Sequence, residues 1–145
     1  MKTARVKWVE GMQFMGQAPS GYSIVMDASQ EAGGANSGSR PKDLLLAGLG
    51  GCTGMDVVSI LRKMHVPFDS FEVEVHAEES AEHPKIWTRI ELIYRIVGDV
   101  PEDKFLKAIN LSQERYCAVA AMLRGAAAIT FRHEIIQSKR GEPAS

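Results

Sequence analysis

The sequence predicts an α+β fold with elements in the order βββ–α–ββ–α–β, and three observations carry that reading. Phe71, Val73, Val75 and Ala77 alternate with Glu72, Glu74, His76 and Glu78, the period-two pattern of a strand with one wet face. Ile90, Leu92, Tyr94 and Ile96 repeat the pattern in a second strand, beyond a turn at Glu79-Ser80-Ala81-Glu82-His83-Pro84. Two stretches with helical spacing, one opening near Pro41 and one at Pro101, do not alternate singly with the strands, so a doubly wound sheet is not expected.

The elements follow from local chemistry. Residues 1–27 read as strands: Val6 and Trp8 alternate with polar neighbours, Gly11 marks a turn, and Pro19-Ser20-Gly21 marks another before Tyr22–Met26. Residues 28–39 are small and polar without an apolar period, which predicts a mobile surface loop. The first helix is expected to start between Ser39 and Pro41, with Ser39 as N-cap, Pro41 in the first turn and Asp43 complementing the dipole. Its apolar positions are Leu44, Leu45, Ala47, Cys52, Met55, Val58 and Leu61, and it ends near Arg62-Lys63, before Val66-Pro67.

Within that helix, each glycine of Gly48-Leu49-Gly50-Gly51 costs about 1 kcal/mol in helix propensity, which predicts close packing on that face. The run is not a phosphate loop, because it sits inside a helix and no Gly-Lys-Ser/Thr follows. In the second helical stretch Leu106, Ile109, Tyr116, Ala120 and Leu123 recur at helical spacing, and Gly125 is a natural stop. Ile129–Ile136 reads as the last strand, and Lys139–Ser145 as a frayed polar tail.

With 145 residues the chain is the size of one domain. Its 17 Lys+Arg against 18 Asp+Glu argue against a nucleic-acid partner, which selects for a basic excess. The N-terminal segment alternates charged and apolar residues, so no signal peptide is expected, and no apolar run approaches the ~18 residues that span a bilayer. No membrane partner and a cytoplasmic location follow as expectations. His65, His76, His83 and His133 form no i, i+4 pair, and no cysteine pair has ligand spacing, so neither metal nor cofactor is expected.

The chemistry falls to the two cysteines, Cys52 and Cys117. Both lie on predicted helices. Cys52 has small neighbours (Gly50, Gly51, Thr53, Gly54) that leave room beside its sulfur, and Cys117 follows Arg115 and Tyr116, a cation and a hydroxyl that favour a thiolate. Spacing alone leaves two readings open, a redox pair and two packed thiols.

Two motifs, Arg40-Pro41-Lys42-Asp43-Leu44-Leu45-Leu46-Ala47-Gly48-Leu49-Gly50-Gly51-Cys52-Thr53 and Glu114-Arg115-Tyr116-Cys117-Ala118-Val119, resemble the osmotically inducible protein C / organic hydroperoxide resistance (OsmC/Ohr) family. With Met55–Lys63 and Val6–Gly11 added, the chain looks most like the YhfA-like subgroup, over nearly its whole length. The resemblance implies a single OsmC-like domain over residues 1–145 and an intertwined homodimer with active sites at the subunit interface. It also implies the roles of the thiols: Cys52 attacks an organic hydroperoxide or peroxide, Cys117 resolves the resulting sulfenic acid as a disulfide, and an external dithiol reduces that bond.

Two departures from the family's studied peroxidases stand out. Lys42 replaces a Glu, and no Arg lies between Glu10 and Met26. Asp43, nine residues before Cys52, falls on the opposite face of a regular helix and reaches the thiol only from a partner chain. Arg40 is the candidate cation, also from the partner. The competing implication is a non-catalytic protein, in which the same interfacial pocket holds a small apolar ligand or the thiols serve as a redox sensor.

Overall fold

A computed structural model describes residues 1–138, and the tail expected at 139–145 lies outside the described residues. The chain divides into two compact units, one of Met1–Leu45 and one from Leu46 onward.

In the first unit, β1 (Arg5–Glu10), β2 (Gln13–Gln17) and β3 (Ser23–Met26) form an antiparallel meander. Gly11 takes φ +54 in the β1–β2 turn, a conformation that disfavours side chains. Every residue of β1 is exposed, so its alternation makes a strand without burying either face within the chain.

Asp27, only 3% exposed, follows β3. Its Oδ1 accepts the Ala28 N–H at 2.7 Å. Its Oδ2 accepts the Ala35 and Ser37 N–H groups, both at 3.1 Å, and the Ser37 hydroxyl at 2.6 Å. Led by the Ser37 bonds, these donors hold the carboxyl down at about 2.

Ser39 is not the helix cap the sequence suggests. Its N–H bonds to Val25 O and its carbonyl accepts the Asp27 N–H, both at 3.1 Å, so pairing with the strand end outcompetes capping. The helix α1 (Asp43–Lys63) starts four residues later, where the Arg40 carbonyl accepts from Asp43 and Leu44.

In the second unit, β4 (Ser70–Glu79), β5 (Trp87–Val97) and β6 (Ala128–Ile136) form a sheet with β5 central. β4 pairs antiparallel to β5, and β6 pairs parallel to it. Ile90, Leu92, Tyr94 and Ile96 are fully buried, as their alternation requires.

α1 buries Leu49, Thr53, Val57 and Leu61, a stripe at four-residue intervals. Of the apolar positions the sequence put forward on this helix, only Leu61 belongs to that stripe, and Met55 is 76% exposed. Apolar residues surround much of α1, so periodicity does not choose the face; packing against the sheet does. Eighteen consecutive residues of this helix, with mean hydropathy 1.8, also meet the length and composition of a membrane span, although Asp56 interrupts their apolar run. The stripe's place in the core is that of a core helix.

The glycine notch is narrower than expected. A Cβ at Gly50 would sit 3.3 Å from Val75 Cγ2 and one at Gly54 3.6 Å from Val73 Cγ2, whereas Gly48 and Gly51 meet nothing within 4 Å.

The second helical stretch is broken. It comprises α2 (Glu102–Leu111), a π-helical turn over Ser112–Tyr116, and α3 (Ala118–Leu123). The Cys117 N–H bonds to the Ser112 carbonyl at 2.8 Å, five residues back, and Cys117 itself is extended at φ −74, ψ 100. Ser112 and Gln113 occupy buried positions where a continuous helix would bury apolar residues. Their side chains bond to α1 and β5, and the extra residue in the turn swings Tyr116 outward to 53% exposure.

Candidate thiol site

Cys52 and Asp56 lie one turn apart on the same side of α1, because residues i and i+4 of a helix are neighbours. The π-helical turn delivers Cys117 to the same place at the head of α3. The two sulfurs and a carboxylate oxygen of Asp56 all lie within 4.8 Å of one another. Both thiols are free.

Cys117 is 4% exposed, and burial, the largest cause, pushes its thiol up to about 11. The Ala120 N–H, donating to Cys117 Sγ at 3.4 Å, pulls the other way, while a hydrogen bond with Cys52 and the charges of Cys52 and Asp56 add to the rise. This thiol therefore keeps its proton at neutral pH.

A buried relay of polar side chains supports the cluster. Gln113 Nε2 donates to Tyr94 OH at 2.7 Å and to Thr53 Oγ1 at 3.2 Å. Arg124 fixes which way that amide points by donating to Gln113 Oε1 at 2.9 Å. Thr53 Oγ1 lies 2.7 Å from both Tyr94 OH and Ser112 Oγ, and Ser112 Oγ donates to Asp56 Oδ2 at 2.8 Å.

Each hydroxyl has one proton to give. Ser112 spends its proton on Asp56, so Thr53 donates to Ser112 and Tyr94 donates to Thr53. All the donors point toward the carboxylate, and such a chain polarises each bond in it. Tyr94, pushed up to about 12 chiefly by burial, keeps the proton this order needs.

Of the residues singled out in the sequence, the structure joins Cys52 and Cys117. Arg40 instead donates to Gly38 O at 3.0 Å and to Asn36 Oδ1 at 2.7 Å, and Asp43 lies in the first turn of α1. Asp56, Thr53, Tyr94, Ser112 and Gln113 are the residues sequence reasoning missed. Asp56 carried a local signal in its i+4 spacing from Cys52, and Ser112 and Gln113 carried one in being polar where a core helix is apolar. Asp56 also lines an open groove with Lys63, Lys107 and Tyr116.

A family model described as OsmC-like protein matches residues 34–132, which include both cysteines. The chain is 39% identical over 137 residues to Protein YhfA of Escherichia coli (strain K12), covering 92% of this chain and 97% of that protein. A hypothetical protein from Aquifex aeolicus VF5 is a solved structural relative, with TM-score 0.84, 28% identity, and coverage of 95% of this chain and 98% of that one. The organic hydroperoxide resistance protein OsmC from Legionella pneumophila has TM-score 0.69 and 15% identity, covering 92% of this chain and 96% of that one, a likeness of fold.

Proposed function

We propose, from the premise that this chain belongs to the OsmC-like protein family, that it is a cytoplasmic, homodimeric thiol peroxidase acting on organic hydroperoxides. The observation that carries the reading is the convergence of Cys52 and Cys117 sulfurs within 4.8 Å. A disulfide bond is about 2.05 Å, so the two sulfurs must close the remaining gap when they join.

In the first step Cys52, as thiolate, attacks the outer peroxide oxygen; the O–O bond breaks, the alcohol leaves, and Cys52 becomes a sulfenic acid. The Cys117 thiol then condenses with it, forming the S–S bond and releasing water. An external dithiol reduces the disulfide and is itself oxidised. The elevated Cys117 thiol fits the resolving role, because a thiol holding its proton makes a poor first nucleophile. Arg40 and Asp43 are the residues we assign to the partner chain as supports for Cys52.

The test is thiol titration and intact mass of the reduced protein after one equivalent of cumene hydroperoxide. Loss of both thiols and of about 2 Da, with a sulfenate trapped at Cys52 in Cys117→Ser, is the expected result. Survival of both thiols in excess peroxide overturns the mechanism.

A second reading rests on the groove lined by Gly54, Met55, Val58, Phe71 and Val73, which includes neither sulfur. As a binding module for a small apolar ligand, the protein would hold that ligand equally well in Cys52→Ser.

A further inference from the structure

We propose that Cys52, Asp56 and Cys117 form a site for one thiophilic divalent cation of the zinc class, with two sulfurs and one oxygen as ligands and the fourth position open. Three donor atoms from two distant segments meet within 4.8 Å. Tetrahedral zinc, with bonds of about 2.3 Å to sulfur and about 2.0–2.2 Å to oxygen, sets such donors roughly 3.5–3.8 Å apart. A closure of roughly 1 Å, within the reach of side-chain rotation, completes the geometry.

The donor set chooses the metal. Two thiolates beside one carboxylate suit zinc or cadmium, while magnesium and calcium require oxygen-rich shells. Asp56 is already oriented by the Ser112 hydroxyl at 2.8 Å, the kind of outer hydrogen bond that fixes ligating carboxylates in metal sites. Behind Ser112 stand Thr53 and Tyr94, so the carboxylate is held by a rigid, fully bonded relay. Asp56 also faces an open groove that Lys63 and Lys107 line, so its carboxylate meets solvent.

Both sulfurs bind the dication as thiolates. The site goes beyond the peroxidase reading and does not depend on it. Once both sulfurs are bonded to the ion, neither is free to attack a peroxide oxygen, so the metal guards the thiols from oxidation.

The experiment titrates reduced, full-length protein with Co²⁺ anaerobically and without peroxide, then adds Zn²⁺. The expected result is one ion per chain and a thiolate-to-cobalt charge-transfer band that equimolar Zn²⁺ abolishes. Cys52→Ser and Cys117→Ser each weaken or shift the band, and Asp56→Asn raises the dissociation constant at least about tenfold. Wild-type protein with no sulfur band overturns the site, and that measurement needs no variant to fold. Unchanged affinity in Asp56→Asn also overturns it. Thiols that ignore peroxide but give the cobalt band would end the peroxidase reading alone; thiols that oxidise without the band would end the metal site alone.

Discussion

Ser112 holds Asp56 with its hydroxyl, donated to Oδ2 at 2.8 Å, while its carbonyl accepts the Cys117 N–H, also at 2.8 Å. One residue of the π-helical turn thus sets both the carboxylate on α1 and the backbone of the second thiol. The turn and the site are one construction.

Removing that hydroxyl strands its neighbours. Ser112→Ala leaves buried Thr53 and half-buried Asp56 each short of a partner, a loss of about 1–3 kcal/mol measurable by urea denaturation. Thr53→Val breaks the same relay one link earlier. The double variant should lose clearly less than the sum of the two single losses, and strict additivity would show that the hydroxyls do not act as a chain.

The Cys117 thiol reports its burial through pH. Cys52→Ser removes the contributions of Cys52 but leaves burial, the largest cause of the rise. In that variant alkylation of Cys117 by iodoacetamide should keep accelerating beyond pH 9, and an inflection below the ordinary thiol range would contradict the assignment. In wild type the native thiol still holds its proton above pH 9, where the unfolded chain has lost its own. Stability therefore falls as pH rises from about 9 toward about 11, and Cys117→Ala, compared by urea midpoint, should lack that part of the fall.

Asp27 works in the opposite direction. Its carboxyl is held at about 2 by donors that require the charged form, so its contribution is complete above the unfolded value near 4 and disappears as pH drops toward 2. Amide exchange at Ala28, Ala35 and Ser37 should quicken, relative to the intrinsic rate, across that window. Asp27→Asn should quicken it at neutral pH, because whichever way the amide turns, its NH₂ meets at least one of the donors the carboxylate accepts. Protection that persists in the Asn variant would mean the carboxylate is not what orders these amides.

The expected dimer makes a separate prediction. Met55 is 76% exposed, and Gly51 beside it faces open space. Wild-type protein should sediment as a dimer, and Met55→Glu should weaken that dimer at least about tenfold while leaving the circular dichroism of the chain intact. A monomeric wild type removes the homodimer. Leu61→Ala is the contrasting change, because Leu61 is fully buried; its cost of about 2–5 kcal/mol should appear in chemical denaturation.

The strands were legible because β4 and β5 write their buried face in alternate residues, and Ile90, Leu92, Tyr94 and Ile96 are buried as that alternation demands. The burial face of α1 was not, since a helix apolar on most sides carries no phase. Its true stripe includes Thr53, a polar residue that is buried because its hydroxyl is bonded. The π-helical turn escaped for a related reason: Ile109 and Tyr116 are seven residues apart, a helical interval, and nothing in that spacing reveals an inserted residue. Ser112 and Gln113, polar where a core helix wants apolar side chains, were the clue. Cys52 and Cys117 were visible as residue types, whereas Asp56 gains meaning only once the fold brings Cys117 beside it.

The parallel pairing of β6 with β5 and the meeting of the thiols are separate events in folding. Everything between those strands, α2, the π-helical turn and α3, must be laid down and folded back before the two edges can zip. Ser112 and Asp56 are 56 residues apart in sequence, so their bond belongs to the slow, non-local part of assembly. The two sulfurs meet through the docking of the π-helical turn on α1, which lies before β6 in the chain. A cross-link formed between them during refolding would thus report that docking, whether or not β6 has yet paired with β5.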